Sequence, residues 1–261
     1  MMSINTFFFD FDGTLQGFET HQISKSTKEA LQLLKANNYK LFLATGRNLT
    51  DLPQDLINLN FDGYINNNGG MCSDNNRVPF HVNYLPLQDV EALLAYEKEN
   101  PFAFSMMTEK GFSINRINEY VEKAFEFFGA KHPKLIDFSE IEMDKIMQMN
   151  FFVNPDEEHF LMQNVMRNCE SSRWMQYFAD INPKGINKMK AIEIMSKKYQ
   201  LDLNKTMAFG DGANDIQMLQ GCTVGVAMGN AKDEVKQFAD YITTSADADG
   251  IWNALKHFKI I

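Results

Sequence analysis

The chain has 261 residues, of which 44% are hydrophobic, enough for one large domain or two modest ones with a packed core. Its formal net charge of −9 argues against nucleic-acid and anionic-membrane partners, because binding to both depends on lysine and arginine. No apolar run approaches the ~20 residues that span a bilayer, and the opening segment lacks the pattern of a secretory signal, so we expect a cytoplasmic protein.

The first third of the chain alternates buried strands with amphipathic helices, which is typical of a parallel sheet built from right-handed crossovers. The apolar run 7–9 predicts a strand covered on both faces, and 41–44 predicts a second strand beside it. Ser26 is predicted to cap the helix between them. Another helix is expected near 48–58, and residues 64–65 read as a third short strand.

From about residue 86 to residue 182 the pattern changes to helices separated by strands of mixed faces, which indicates an inserted α+β domain. Strands are predicted at 102–107, 112–115, 145–153 and 173–180. In the third of these, alternation places Gln148 and Asn150 on one face, which we expect to be polar and solvated. Met147, Met149 and Phe151 occupy the other face, which we expect to be core.

After Pro183 the alternation of strands and helices resumes, with a helix predicted at 187–199 and strands at 206–209 and 224–227. The two chain ends therefore form one core. The predicted fold class is α/β, with a Rossmann-like three-layer parallel-sheet core and an inserted α+β cap domain. The expected boundaries are 1–82 and 183–261 for the core and 83–182 for the cap.

Asp10-Phe11-Asp12-Gly13-Thr14 follows the first strand directly, so both carboxylates lie at its carboxyl end, where open α/β sheets bind ligands. Residues two apart on a strand point the same way. Two close carboxylates can divide the work of phosphate hydrolysis, one attacking phosphorus and the other moving protons. The alternative interpretation of the motif alone is an ordinary Asp-Gly turn.

Thr45-Gly46-Arg47 occupies the equivalent place after the second strand, where a hydroxyl and backbone N–H groups can hold phosphoryl oxygens. By itself, this segment is more often an N-cap and a turn. Lys188 lies at the start of the 187–199 helix, where a lone lysine is usually solvated. Neither segment indicates a function without its companions.

Gly210-Asp211-Gly212-Ala213-Asn214-Asp215 follows the 206–209 strand and supplies two carboxylates and an amide at a strand-to-helix turn. These are the oxygen ligands that Mg2+ prefers. An EF-hand is disfavoured because it needs a longer series of ligands that ends in a bidentate Glu. A dinucleotide fingerprint is disfavoured because G-x-G-x-x-G is absent.

Together, these four segments resemble the motifs of the haloacid dehalogenase superfamily of phosphohydrolases, and most of all its Cof-type subfamily. Further recurrent segments lie at 68–69 and 225–231, and the resemblance covers essentially the whole chain. It implies that Asp10 is the nucleophile and Asp12 the general acid and base. It also implies contacts to phosphate or substrate from the remaining motif residues: Thr45, Gly46, Arg47, Lys188 and Asn214.

The resemblance further implies a magnesium cofactor. Mg2+ would bind the Asp10 carboxylate, the Asp12 backbone carbonyl and Asp211, with Asp215 supporting the ion through water. Together with Lys188, the ion would offset the repulsion between an anionic nucleophile and an anionic ester.

The cap resembles the larger type found in this superfamily, which leaves room for small molecules, so the expected partner is a small phosphorylated metabolite. We expect a phosphatase of hexose or pentose phosphates, acting as a monomer or a small homo-oligomer. Arg47, Gln148 and Asn150 are candidates for substrate contact, although a solvated sheet face is favoured for the last two.

Two alternatives stay open at this point. One is phosphotransfer to a second sugar, as in the phosphomannomutases of the superfamily. The other is a non-catalytic phosphosugar-binding regulator, which the presence of both Asp10 and Asp12 disfavours, because binding alone requires neither.

Overall fold

The computed structural model describes residues 4–129, 131 and 134–261, with the backbone alone at residue 174. The chain divides into two compact units. The first comprises Met1–Gly46, Leu52–His81 and Asn187–Ile261, and the second comprises Arg47–Asp51 and Val82–Ile186. Residues 1–3, 130, 132 and 133 of the predicted domains lie outside the described residues, and the predicted domain boundaries stay a prediction.

The described strands and helices are numbered in chain order. The strands are β1 (Thr6–Phe9), β2 (Lys40–Ala44), β3 (Gly63–Asn66), β4 (Met71–Asp74), β5 (Pro79–Val82), β6 (Ala103–Thr108), β7 (Gly111–Ile114), β8 (Lys134–Leu135), β9 (Gln148–Phe152), β10 (Cys169–Met175), β11 (Phe178–Pro183), β12 (Thr206–Gly210), β13 (Val224–Ala227) and β14 (Tyr241–Ile242). The helices are α1 (Lys25–Ala36), α2 (Gln54–Ile57), α3 (Leu87–Glu99), α4 (Glu119–Phe127), α5 (Pro155–Asn164), α6 (Lys188–Tyr199), α7 (Ile216–Gly221), α8 (Asp233–Lys236) and α9 (Gly250–His257). No helix of the described residues has the length and apolar character that crossing a membrane requires.

The sheet of the first unit has the strand order β14-β13-β12-β1-β2-β3-β4-β5, and the strands from β14 to β3 run parallel. β1 lies in the middle, with Phe9 in register with Leu43 of β2 and Phe209 of β12. Phe7, Phe8 and Phe9 are fully buried, as a strand covered on both faces requires. The predicted α/β fold with a parallel-sheet core is confirmed.

Helix α6 packs on this sheet through an apolar face. Ala191, Ile192 and Met195 are fully buried and belong to the same core cluster as Phe8 and Phe42 of the sheet. The helix begins where Asn187 caps it by accepting a hydrogen bond from the Lys190 N–H. Its first residue, Lys188, is therefore directed into the protein rather than towards solvent, with 0% exposure.

The second unit has its own sheet, with strand order β10-β11-β9-β6-β7-β8. Met149 and Phe151 of β9 lie in an apolar cluster, as predicted from the alternation. The expectation of a solvated opposite face is wrong, because Gln148 is 1% and Asn150 is 4% exposed. Asn150 is stabilised there by hydrogen bonds from Ser105 Oγ at 2.8 Å and to Asp180 Oδ1 at 2.5 Å.

Two local predictions of secondary structure are also wrong. The strand predicted at 173–180 is a hairpin of β10 and β11, in which Met175 pairs with Phe178. Its turn consists of Gln176 and Tyr177, which carry no sequence signal for a turn. The helix predicted near 48–58 is divided by Pro53, which lacks an N–H, into a 3₁₀ turn and α2.

The N-cap of α1 is Ser24, two residues before the predicted Ser26. The Ser24 side chain accepts a hydrogen bond from the Thr27 N–H at 3.1 Å. Ser26 instead lies in the first turn of the helix and donates to Asp249 Oδ1 at the surface. Ser24 therefore caps the helix, and Ser26 makes the surface contact.

We expect Ser24→Ala to lower the free energy of unfolding by about 1 kcal/mol, because the mutation leaves an N–H of the first turn without its acceptor. Ser26→Ala is the matched control and should cost less: it removes an exposed contact to Asp249 and a hydroxyl contact to Ser24, but leaves the acceptor of the Thr27 N–H in place. Urea denaturation of both variants measures the difference. An equal or larger loss for Ser26→Ala would contradict this assignment of the cap.

Candidate active site

Three adjacent parallel strands end at the same edge of the first unit's sheet. Asp10 follows β1, Thr45 follows β2, and Asp211 follows β12. The N–H of Asp10 still donates to Phe209 O at 3.0 Å, so the backbone of Asp10 is held by the neighbouring strand. This edge is where the sequence analysis expects the catalytic residues.

Lys188 joins two of the predicted carboxylates. Its Nζ donates to Asp10 Oδ1 and to Asp215 Oδ1, at 2.6 Å in each case. Burial alone would lower the pKa of Lys188, but the two carboxylates outweigh it and raise the pKa above its ordinary value. The side chain is therefore a permanent buried cation, and not the solvated lysine that its position in a helix would suggest.

The carboxylates of Asp10, Asp211 and Asp215 each offer an oxygen within 4.8 Å of the others. Burial and the neighbouring Asp215 raise the pKa of Asp10 to about 7, and Lys188 offsets this only in part. Burial and Asp10 likewise raise the pKa of Asp211 well above its ordinary value. One ammonium does not neutralise three carboxylates, so this oxygen-rich cluster is suited to a divalent cation.

Asp215 has both of its oxygens occupied by protein donors. Oδ1 accepts from Lys188, and Oδ2 accepts the backbone N–H groups of Asp211 and Gly212 at 3.0 Å each. A Cβ at Gly210 would lie 2.5 Å from the Asp215 side chain, so this turn requires glycine there. The arrangement fits an indirect role for Asp215 towards a cation, one that orients the turn and the ammonium.

Gly13 combines a left-handed backbone with a close approach to Asp211. Its φ is +80°, and an added Cβ would lie 2.2 Å from Asp211 Oδ2. Asp12, the predicted general acid and base, precedes it and is half-buried, with its backbone bridged to Gln16. The chain thus turns away directly after Asp12, which leaves this side chain more accessible than that of Asp10.

Asn68 connects two of the predicted motifs, although sequence reasoning did not include it among the site residues. Its Oδ1 accepts from Asn214 Nδ2 at 2.8 Å, and its N–H donates to Thr45 O at 3.1 Å. Its side chain also lies against Gly46, where an added Cβ would be 3.2 Å from Oδ1. The only sequence signal was the Asn-Gly pair, which agrees with the positive φ of 52° at Asn68.

The structure thus brings together Asp10, Thr45, Gly46, Lys188, Asp211, Asn214 and Asp215 in the first unit. Arg47 belongs to the second unit, where its charge partly offsets the burial that raises the pKa of Asp51. The predicted substrate contact of Arg47 stays a prediction, as do the catalytic roles of the other residues.

A model of the family described as haloacid dehalogenase-like hydrolase matches residues 7–255. The chain belongs to this family. The Bacillus subtilis protein YkrA, named as a phosphatase, is 29% identical over 261 residues that cover 100% of both chains. The HMP-PP phosphatase of Escherichia fergusonii is 25% identical over 233 residues, which cover 87% of this chain and 85% of that protein.

Among solved structures, that of BT4131, a sugar phosphatase of HAD subclass IIB, superposes with a TM-score of 0.88. It is 39% identical and covers 98% of this chain and 100% of its own. The resemblance to haloacid dehalogenase-like hydrolases predicted from the motifs is therefore confirmed. The predicted enzyme class, a phosphoric monoester hydrolase, is confirmed with it.

In this haloacid dehalogenase-like hydrolase, Asp247 holds the loop that follows the Asp10–Thr14 motif. Its Oδ1 accepts from the Thr20 hydroxyl at 2.7 Å and the Thr20 N–H at 3.2 Å, and its Oδ2 accepts from the Glu19 N–H at 3.2 Å. The Gly17 backbone packs on the same carboxylate. Partial burial raises the pKa of Asp247, but these donors outweigh it and lower the pKa below the ordinary value of 3.8.

We expect Asp247→Asn to lower the free energy of unfolding by about 1 kcal/mol at neutral pH, because the amide cannot accept from all three donors. A carboxyl whose native pKa is depressed stabilises the fold above its unfolded pKa and loses that contribution as the pH falls through the native pKa. The difference between wild type and variant should therefore shrink below about pH 4. Denaturation at several pH values tests this, and a difference that stays constant down to pH 3 would contradict it.

Proposed function

We propose that the protein is a Mg2+-dependent phosphatase that hydrolyses small phosphorylated metabolites, foremost sugar phosphates, through an aspartyl-phosphate on Asp10. The observation that carries the proposal is the buried contact of Lys188 with Asp10, 2.6 Å long, next to the further carboxylates of Asp211 and Asp215. A buried nucleophile held by a permanent cation is suited to attack on an anionic ester.

In the first step, an Asp10 oxygen attacks phosphorus. Lys188 holds Oδ1, so we assign the attack to Oδ2. The new bond joins Oδ2 to phosphorus, the bond from phosphorus to the ester oxygen breaks, and Asp12 gives its proton to the departing alcohol. Asp12 is suited to this role because it is more exposed than Asp10 and lies two residues beyond it.

In the second step, water attacks the phosphorus of the aspartyl-phosphate. Asp12, now a carboxylate, takes a proton from that water, and the bond between phosphorus and Oδ2 breaks. Inorganic phosphate leaves, and both aspartates return to their starting states. The same side chain therefore serves as acid and then as base, and no further proton carrier is needed.

The transferring phosphoryl group needs donors that are already in place. We assign this role to Lys188, the Thr45 hydroxyl, the N–H groups near Gly46 and the Asn214 amide, with Arg47 as a further candidate. The Asn68 contacts to the Thr45 carbonyl and the Asn214 amide support the assignment, because they hold the backbone of Thr45 close to Asn214. Fixed donors cost no reorganisation when charge develops.

The cluster of carboxylates fits a divalent cation, as its oxygen donors and the raised pKa of Asp10 and of Asp211 indicate. Asp10, the Asp12 backbone carbonyl and Asp211 would hold Mg2+, and Asp215 would support it through water. When bound, the ion would neutralise charge on the phosphoryl oxygens.

Two similar proteins suggest different substrates. The name of BT4131 indicates sugar phosphates, and that of the Escherichia fergusonii relative indicates HMP-PP. We favour sugar phosphates because the identity to BT4131 is 39%, against 25% to the HMP-PP phosphatase. A substrate panel that contains both classes separates these assignments.

We expect wild-type protein with Mg2+ to release phosphate from hexose or pentose phosphates faster than from nucleotides or HMP-PP, and EDTA to abolish the release. Asp10→Asn should be inactive, because an amide oxygen cannot form the acyl-phosphate under these conditions. Asp55→Asn, a change at an exposed aspartate, is the control and should retain full activity. Undiminished phosphate release by Asp10→Asn would overturn the proposed nucleophile.

Lys188→Met should reduce kcat by about 100-fold or more, because removal of a preorganised charge-stabilising donor has costs of this order. It should also destabilise the protein, since two buried carboxylates lose their partner. Lys190→Met, two residues along the same helix at a half-exposed position, is the matched control. A loss of only a few-fold for Lys188→Met in folded protein would remove Lys188 from the mechanism.

A further inference from the structure

Asn230 connects three separate segments at the edge of the candidate active site. Its Nδ2 donates to Asp211 Oδ2 at 3.0 Å and to Gly13 O at 2.9 Å. Its Oδ1 accepts the N–H of Ala246 at 3.0 Å. One amide thus contacts the segment after β1, the segment after β12 and the loop that precedes α9.

The carboxylate of Asp211 is held on several sides. Asn230 Nδ2 donates to Oδ2, and the Thr14 hydroxyl donates to Oδ1 at 3.4 Å. Gly13 lies against Oδ2 so closely that no Cβ could fit there. Asp10 and Asp215 repel this carboxylate, so hydrogen-bond donors are required to keep its orientation.

We propose that Asn230 is a positioning residue for the cation site: it fixes the rotamer of Asp211 and, through Gly13 O, the backbone that follows Asp12. The inference rests on the proposed function, in which Asp211 and the Asp12 carbonyl are cation ligands. It goes beyond that function by assigning the relative placement of these two ligands to a side chain outside the proposed ligand set.

The double contact of Nδ2 explains why an amide suits this position. Asp211 Oδ2 and Gly13 O are both acceptors, and an NH₂ group has two N–H donors, so one nitrogen satisfies both. A hydroxyl has only one donor, and a carboxylate has none and would repel Asp211. The third contact, to the Ala246 N–H, fixes the rotation of the amide and hence which end faces Asp211.

Loss of this contact should weaken cation binding more than it weakens the fold. Hydrogen-bonding partners of metal-ligating carboxylates typically contribute 10- to 100-fold in metal affinity. Asn230 itself is exposed, so its hydrogen bonds contribute little to global stability. These two expectations separate a positioning role from a merely structural one.

The test is calorimetric titration of the full-length protein with Mn2+, a probe of Mg2+ sites, using wild type, Asn230→Ala and Asn253→Ala. Asn253 Nδ2 donates to Thr244 Oγ1 at 2.8 Å and to Ala248 O at 3.2 Å, in the same loop as Ala246. It therefore controls for loosening of that loop. We expect the Kd for Mn2+ to rise about 10-fold or more in Asn230→Ala and to stay within about twofold in Asn253→Ala.

Kinetics give a second readout. The kcat of Asn230→Ala should recover towards the wild-type value at high Mg2+, with little change in the KM for substrate, because the substrate donors are untouched. If Asn230→Ala does not fold, Asn230→Ser, which keeps a small polar side chain too short for both acceptors, should show the same rise in Kd. Unchanged Mn2+ affinity in the folded variant, or an equal rise in Asn253→Ala, would overturn the proposal.

Failure of the proposed function gives a different result. Asp211→Asn should abolish Mn2+ binding if the cation site is where we assign it. If wild type and Asp211→Asn bind Mn2+ alike, the cation site itself is wrong. If Asp211→Asn loses binding while Asn230→Ala keeps it, only the role of Asn230 is wrong.

Discussion

The buried ion pairs of Lys188 are the interaction on which the catalytic unit depends. A buried carboxylate is costly unless it is paired, and the 2.6 Å contacts of Nζ offset part of the cost of burying Asp10 and Asp215. The three residues come from α6, the end of β1 and the turn after β12. These ion pairs therefore connect elements that are distant along the chain. The helix cap at Asn187 belongs to the same system, because it fixes where α6 begins and hence where Lys188 lies.

Environment separates the two aspartates of the first motif. Asp10 is buried against other carboxylates and held by an ammonium, whereas Asp12 is half-buried where Gly13 turns the chain away. A nucleophile benefits from being desolvated and fixed, and a proton carrier benefits from reaching both the departing group and water. A single backbone turn thus places Asp10 and Asp12, which are two residues apart, in different environments. The left-handed φ of Gly13 is the local requirement for that difference.

Much of the core could be predicted from sequence because carboxyl ends of parallel strands meet at one edge, so Asp10, Thr45 and Asp211 had to be neighbours once their strands were recognised. Other features depend on partners that local patterns do not encode. Gln148 and Asn150 alternate as a solvated face would, yet they are buried, because alternation cannot distinguish water from a buried polar network. The side chain of Asn68 is held by a hydrogen bond from Asn214, which lies 146 residues away along the chain. The hairpin of β10 and β11 was missed because its turn lacks Gly, Asn or Pro.

The central position of β1 has a consequence for synthesis on the ribosome. β2 can pair with β1 early, but β12, its other neighbour, begins only at Thr206. At a synthesis rate of ~5–20 residues per second, the second edge of β1 stays unpaired for roughly 10 to 40 seconds while the intervening chain is made. During that interval Phe7, Phe8 and Phe9 form an unpaired apolar edge, the kind of segment that chaperones bind and that aggregates when exposed. The strand that leads to Asp10, the proposed nucleophile, is thus also a segment prone to aggregate while the rest of the chain is made.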